Sequence, residues 1–266
     1  MIKRRKNKKQ IKNRQLYILL IVIVLFVFVI IATPSIRIWI RNVFTNRDIP
    51  TISLSDSKKD LSEYVVFGLD VSQYQHVVVW DKLKLIHDLD FVFIRATAGV
   101  DLRDKFFTYN WRSATEKSMI RGAYHYYRPN ENSIEQAENF IQNVDLQHGD
   151  LPPILDIEDY SNIQSLNSLK TGLLKWLQMV EAHYGAKPII YTYYKYYDAH
   201  FKDDARFDEY PLWLARYGHA EHFNAPGDNW LFWQYTKYGK LDGVDGDVDL
   251  NVFYREVEDL KALCVE

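Results

Sequence analysis

From Tyr64 onward, short apolar runs alternate with longer polar or amphipathic stretches. This is the pattern of strands and helices taking turns around a mostly parallel sheet. Eight runs read as strands: Val65–Val71, Phe91–Ala96, Ile120–Tyr127, Pro153–Ile157, Pro188–Tyr193, Pro211–Ala215, Leu231–Tyr235 and a short final one near Val248–Asn251. Ser133–Val144 sets Ile134, Ala137, Phe140, Ile141 and Val144 at helical spacing behind a Ser cap, with Gln136 three residues on, a capping-box pattern. Leu166–His183 presents Leu169, Leu173, Trp176, Leu177 and Val180 on one side and stops at Gly185. The last three strands lie too close together for full helices between them. A closed α/β barrel of eight strands, with its late helices missing, therefore fits the roughly 200 residues better than an open sheet.

In such barrels chemistry gathers at the carboxyl ends of the strands, so the strand ends carry the functional information. Asp70 ends the first. Tyr124, His125 and Tyr126 end the third, Asp156 and Glu158 the fourth, and Tyr191 and Tyr193 the fifth. Trp213 and Arg216 follow on the sixth, Trp233, Gln234 and Tyr235 on the seventh, and Asp247 and Asp249 on the eighth. The stretch Leu151–Asp159 is the most telling, because it puts acids at the end of an apolar strand. With a period of two, Asp156 and Glu158 share a face, their Cα atoms about 6.5–7 Å apart. Carboxylates held that close repel, which predicts one with a raised pKa beside one that stays ionised, the asymmetry of a general acid and its charged helper. A solvated strand end accounts for an isolated D-x-E equally well. Aromatics beside acids suit a sugar polymer, since ring faces pack on pyranose C–H faces while carboxylates and amides bond the hydroxyls; any single Tyr or Trp is as readily explained by core packing.

Composition changes this picture at the amino terminus. The 266 residues are 47% hydrophobic and 15% aromatic, enough for one large core. The net charge of -2 hides eight Lys/Arg and no acid in residues 1–15, which leaves 25 basic against 35 acidic residues beyond them. An acidic body with a short basic tail excludes nucleic acid as the expected partner. Leu16–Ala32 is a run of 17 apolar residues without a charge, near the length that spans a bilayer core. The basic cluster before it predicts a cytoplasmic tail at 1–15, a transmembrane anchor at 16–33 and export of all that follows. No A-x-A site follows the run, against a cleaved signal. Residues 34–63, with Pro50 and the mixed charges of Ser55–Asp60, read as a juxtamembrane linker, and 64–266 as the exported domain on the outer, periplasmic or extracellular side. Cys264, the sole cysteine, provides neither a disulfide nor a thiol beside the anchor for lipidation.

Seven motifs then appear in one order: Gly68-Leu-Asp-Val-Ser-Gln-Tyr-Gln75, Phe91-Val-Phe-Ile-Arg-Ala-Thr-Ala-Gly99, Gly122-Ala-Tyr-His-Tyr126, Ile154-Leu-Asp-Ile-Glu158, Trp213-Leu-Ala, Trp233-Gln-Tyr and Val248-Asp-Leu-Asn251. In this the chain resembles glycoside hydrolase family 25, the muramidase-type lysozymes, over about Tyr64–Tyr254. The resemblance implies an irregular TIM-like barrel of eight strands with fewer helices. It also implies hydrolysis of the β-1,4 bond between N-acetylmuramic acid and N-acetylglucosamine in peptidoglycan, with no metal or cofactor. By the resemblance Glu158 is the general acid, Asp156 orients the substrate's 2-acetamido group for attack on the anomeric carbon, and Asp70 and Asp249 are further acids of the site. Asp247 is the rival for the last role, but only Asp249 stands in the V-D-x-N setting. Tyr124 and Trp233 fall where the family has substrate-contacting aromatics, with Tyr191, Gln234 and Tyr235 as further candidates. The family's usual K-A-T-E-G reads Arg95-Ala-Thr-Ala-Gly99 here, and Arg for Lys keeps the charge while changing its geometry. Retention through acetamido participation is the expected outcome.

Two other classes use the same residues. A non-catalytic glycan-binding barrel has no reason to keep an acid placed for proton donation. A metal-dependent phosphodiester hydrolase would take the four acids as oxygen ligands, yet only His125 of eight histidines sits in a strand motif and no phosphate clamp is evident. The sequence leaves oligomeric state open, as well as whether the substrate is the cell's own wall.

Overall fold

The computed structural model describes residues 52–217 and 229–266. The expected tail and anchor lie outside the described residues, and among those described no helix is long and apolar enough to cross a membrane.

The strands are β1 (Ile52–Ser53), β2 (Val66–Val71), β3 (Phe91–Ala98), β4 (Leu102–Arg103), β5 (Ile120–Tyr126), β6 (Ile154–Asp156), β7 (Ile189–Tyr193), β8 (Leu212–Ala215), β9 (Trp230–Lys240) and β10 (Val248–Phe253). The helices are α1 (Leu54–Asp60), α2 (Trp80–His87), α3 (Phe107–Glu116), α4 (Ser133–Asn143), α5 (Leu166–Tyr184), α6 (Tyr194–His200) and α7 (Val257–Leu263), with a 3-10 turn at Gln73–Gln75. Strands β2, β3, β5, β6, β7, β8 and β9 pair in parallel in that order, and β10 closes the ring between β9 and β2. The result is a closed barrel of eight strands with few helices, as the spacing of apolar runs predicts.

The closure differs from an all-parallel ring. β10 runs antiparallel to both β9 and β2, because only the short stretch Leu241–Asp247 joins it to β9, too little for a parallel crossover. Its amino-terminal end, not its carboxyl-terminal one, therefore reaches the rim where the parallel strands end. Asp249 stands opposite Asp70 in the register.

The barrel strands bury both faces, one toward the barrel interior and one toward the helices, which is why β2 and β3 are buried at every position. The interior is packed with aromatics: Phe93 lies 4.2 Å from Trp213 and 5.0 Å from Phe232, and Phe91 5.2 Å from Phe93, between ring centroids. Gly68 makes room for this filling, since a Cβ there would come within 2.5 Å of the Phe91 ring. Outside the barrel, α4 and α5 cover β3 and β5 with Phe140, Trp176, Leu173 and Val180 in one apolar layer. His125 faces this layer, its ring between Thr97 Oγ1 (2.7 Å) and Gln136 Oε1 (3.2 Å), and burial pushes its pKa down to about 3.

Two local expectations change. Asn132, not Ser133, caps α4, its side chain accepting from the Ile134 and Glu135 amides. The expected capping-box partner Gln136 is instead fully buried, bonding Arg128 N and O and His125. The expected linker also folds in part onto the barrel. Ile52 and Ser53 extend the sheet beside Gly239 and Lys240, and Leu54 and Leu61 enter the outer core. The barrel domain thus includes residues before Tyr64, in a stretch whose polar surface hides two anchoring leucines.

Candidate active site

Asp70, Asp156, Glu158 and Asp249 line a single cavity of about 240 Å³ at the mouth of the barrel. Three strands deliver them. Asp70 comes from late β2, Asp156 from the last residue of β6, Glu158 from two residues beyond it, and Asp249 from the start of the reversed β10. Period two aims them: Gly68 and Asp70, Ile154 and Asp156, and Asp249 and Asn251 alternate with Leu69, Leu155 and Leu250, which face the helices.

Asp70 is the best anchored. Its Oδ2 accepts from Gln234 Nε2 at 2.8 Å and from Asn251 Nδ2 at 2.9 Å. Asn251 Oδ1 accepts in turn from Trp213 Nε1 (2.8 Å), and Gln234 Oε1 from the hydroxyls of Tyr191 (2.8 Å) and Tyr217 (2.6 Å). Burial raises the Asp70 carboxyl to about 6, with these two amide donors opposing the rise. A network satisfied this completely fixes geometry, because each buried amide has both its donor and its acceptor directed.

Burial dominates the other acids as well. It raises Asp249 to about 9, with the charges of Asp70 and Glu158 adding to the effect. Asp156 is pushed well above the carboxylate range by burial and by Glu158 and Asp70. Glu158 is also raised by burial, while hydrogen bonds with Tyr193 and Asp156 and the nearby Lys237 hold it down. The expectation of one raised and one ionised carboxyl therefore changes: all four are raised.

Among the predicted binding residues, Tyr124, Tyr191 and Gln234 line the cavity. Trp233 and Tyr235 do not. They pack in the outer core, Trp233 donating its Nε1 to the Arg216 carbonyl at 3.0 Å and lying 5.9 Å from the Tyr64 ring. On a strand, Gln234 facing inward forces both its neighbours outward. Asp247, the rival for the last acid, is exposed and pairs with Lys240 at 2.8 Å. His125, named at the end of the third strand, faces the helices.

Tyr217, Tyr193, Lys237 and Arg95 line the cavity as well, without having been named as substrate contacts. Asn251 supports it from behind through Asp70, and its period-two spacing from Asp249 is a readable signal. Arg95, which departs from the resemblance, is buried with its Nε on Asp104 Oδ2 at 2.9 Å and its guanidinium 4.9 Å from the Tyr74 ring. Asp104 also accepts from the Gln73 and Phe106 amides (2.8 and 3.0 Å), so this cation is held by a partner brought in after β4.

Among the described residues, the mouth holds four raised carboxyls, ordered amides and tyrosines, with Arg95 and Lys237 as the lining cations, a set suited to a carbohydrate. The family model described as "Glycosyl hydrolases family 25" matches residues 69–244. The chain belongs to that family and is a glycoside hydrolase of the muramidase type. It is 40% identical over 205 residues to the protein YegX of Escherichia coli K12, covering 76% of this chain and 74% of that protein. It is 33% identical over 209 residues to Lysozyme M1 of Streptomyces globisporus, covering 74% and 71%. A solved family 25 glycosyl hydrolase from Bacillus anthracis superposes with a TM-score of 0.67 at 34% identity, over 76% of this chain and 94% of that one.

Proposed function

We propose that the chain cleaves the β-1,4 bond between N-acetylmuramic acid and N-acetylglucosamine in peptidoglycan, with Glu158 as proton donor and Asp156 acting on the substrate's acetamido group. The observation that carries this reading is that Asp156 and Glu158, two residues apart at the end of β6, line one cavity at the mouth with Tyr124, Tyr191 and Tyr193. Cleavage assisted by the substrate's own acetamido group needs one acid at the glycosidic oxygen and one at the acetamido group, and by the family resemblance these are Glu158 and Asp156.

The proton moves as follows. In the free enzyme the raised carboxyls of Asp156 and Glu158 hold one proton between them. A bound N-acetylmuramyl unit brings its acetamido N–H to Asp156, which favours the ionised form there. The proton then passes to Glu158, beside the glycosidic oxygen. Glu158 protonates that oxygen as the C–O bond breaks, while the acetamido carbonyl oxygen bonds to the anomeric carbon. Asp156 now holds the positive charge on the nitrogen. Water opens the resulting ring with Glu158 as base, and the two inversions leave retained configuration.

Digesting purified peptidoglycan and reducing the products with borohydride tests this. The expected new ends are N-acetylmuramitol, and strands N-deacetylated at that sugar resist cleavage. N-acetylglucosaminitol ends, or equal cleavage of deacetylated strands, would overturn the reading.

The basic cluster and the apolar run Leu16–Ala32 support a single-pass anchor in the cytoplasmic membrane with the barrel on its outer side. Fractionation with carbonate washing checks it: the full chain stays in the membrane pellet, and recovery in the wash would contradict the anchor.

A further inference from the structure

A second depression, of about 590 Å³, opens beside the carboxylate cavity. The two share Glu158, Tyr193 and Tyr217. The second contains none of Asp70, Asp156 or Asp249, and its walls include Tyr160, Tyr194 and Tyr196 instead.

Tyr160 is unusual for a surface aromatic. It is 60% exposed, yet it is held on several sides. One face stacks on the buried Tyr196, with ring centroids 4.9 Å apart and planes 29° from parallel. Its hydroxyl meets His200 Nε2 at 2.8 Å, and the His200 ring stands edge-on 5.2 Å away. The opposite face is the one left to solvent. A rigid aromatic with an open face gives contact area at little conformational cost when a ligand arrives, because its rotamer is already fixed.

Position gives the ligand. A proton donor stands at the glycosidic oxygen, the boundary between the sugar that is attacked and the sugar that leaves. The attacked sugar sets its acetamido group against Asp156, in the first cavity. A depression that keeps Glu158 but lacks Asp156 lies across that boundary. Resting on the assignment of Glu158 as donor, we propose that the open face of Tyr160 is a stacking platform for the N-acetylhexosamine units on the leaving-group side of the glycan strand. Tyr193, Tyr194 and Tyr217 line the same depression, which is bordered by the loop after β6 and by α6.

Two soluble substrates separate the two sides. The tetrasaccharide of alternating N-acetylglucosamine and N-acetylmuramic acid, cut at its middle, fills the leaving-group side with a disaccharide. The β-fluoride of the N-acetylglucosaminyl-N-acetylmuramyl disaccharide fills only the attacked side, since fluoride reaches no platform. Tyr160→Ala is expected to lower kcat/KM on the tetrasaccharide about five- to tenfold more than on the fluoride, mainly through KM, the size of one aromatic stacking contact. Tyr160→Leu, which keeps apolar bulk but no flat face, is expected to behave like Ala, and Tyr160→Phe to keep the wild-type ratio. Equal losses on both substrates, no loss on the tetrasaccharide, or a Leu variant that matches wild type would overturn the platform. Wild-type protein inert toward the tetrasaccharide would overturn the muramidase reading itself, a failure seen before any variant is made.

Discussion

The floor and the mouth of the barrel are built by the same strands at the same period, yet they are opposites. In β3 the interior positions read Phe91, Phe93, Arg95 from floor to mouth; in β2 they read Val66, Gly68, Asp70. The floor is dry aromatic packing, where every contact stabilises the fold. The mouth gathers four carboxyls whose burial raises all their pKa values, and each raised value is a cost to folding at neutral pH. Stability is thus concentrated in one half of the interior and spent in the other to hold proton-bearing groups out of water. The two halves respond to substitution in different observables, and that is how the division can be broken.

The largest effect belongs to the mouth. Glu158→Gln is expected to lower kcat on peptidoglycan by about 10²- to 10⁴-fold, the usual contribution of a positioned general acid, with the thermal midpoint at or above that of wild type. A reducing-end assay and a melting curve check both halves of that statement. In the floor, Phe93→Ala removes the ring that meets Trp213, Phe91 and Phe232. It is expected to cost about 3–5 kcal/mol in denaturant unfolding, while kcat per folded molecule falls far less than for Glu158→Gln. A Phe93→Ala protein of wild-type stability would dissolve the distinction.

Asp249 sharpens it through pH. Its carboxyl stays neutral in the fold up to about 9 but ionises in the unfolded chain above its ordinary value of 3.8. Folding therefore binds a proton across that window, and the stability contributed by this group is full below pH 4 and is lost as pH rises toward 9. Asp249→Asn lacks the penalty. Its thermal midpoint is expected to match wild type near pH 4 and to exceed it increasingly up to pH 9, as scanning fluorimetry would show; a difference that does not grow with pH contradicts the assignment. The smallest effect is reserved for Trp233→Phe. Because Trp233 faces the outer core, the expected change in KM is under about twofold with a measurable loss of stability, whereas a residue in the mouth would reverse that pattern.

Much of this was legible in the chain. All eight barrel strands and both long helices follow from apolar spacing, and the four acids were marked by their places near strand ends. What escaped detection did so for physical reasons. The direction of β10 depends on which connection is too short to cross the barrel, and apolar spacing carries no direction. Trp233 and Tyr235 were expected beside Gln234, although a strand cannot aim three consecutive side chains to one side. The outer core claimed the two aromatics because large apolar area is buried there. Leu54 and Leu61 lay inside a polar stretch, where two anchors are too sparse to register as a pattern. The pair at the end of β6 shows the deepest limit. Spacing predicts that Asp156 and Glu158 meet, but how they divide a proton depends on how far each is buried and on Asp70, Asp249 and Lys237, residues distant in sequence.

The central claim is that Glu158 gives its proton to the leaving oxygen, and leaving-group dependence tests it most directly. The measurement is kcat for wild type and Glu158→Gln on two substrates, the tetrasaccharide, whose sugar oxygen must be protonated to depart, and the disaccharide β-fluoride, whose fluoride needs far less help. The account predicts a loss of about 10²-fold or more on the tetrasaccharide and a loss smaller by at least tenfold on the fluoride. Equal losses on both substrates would contradict it, because a residue that only shapes the site does not distinguish one leaving group from another.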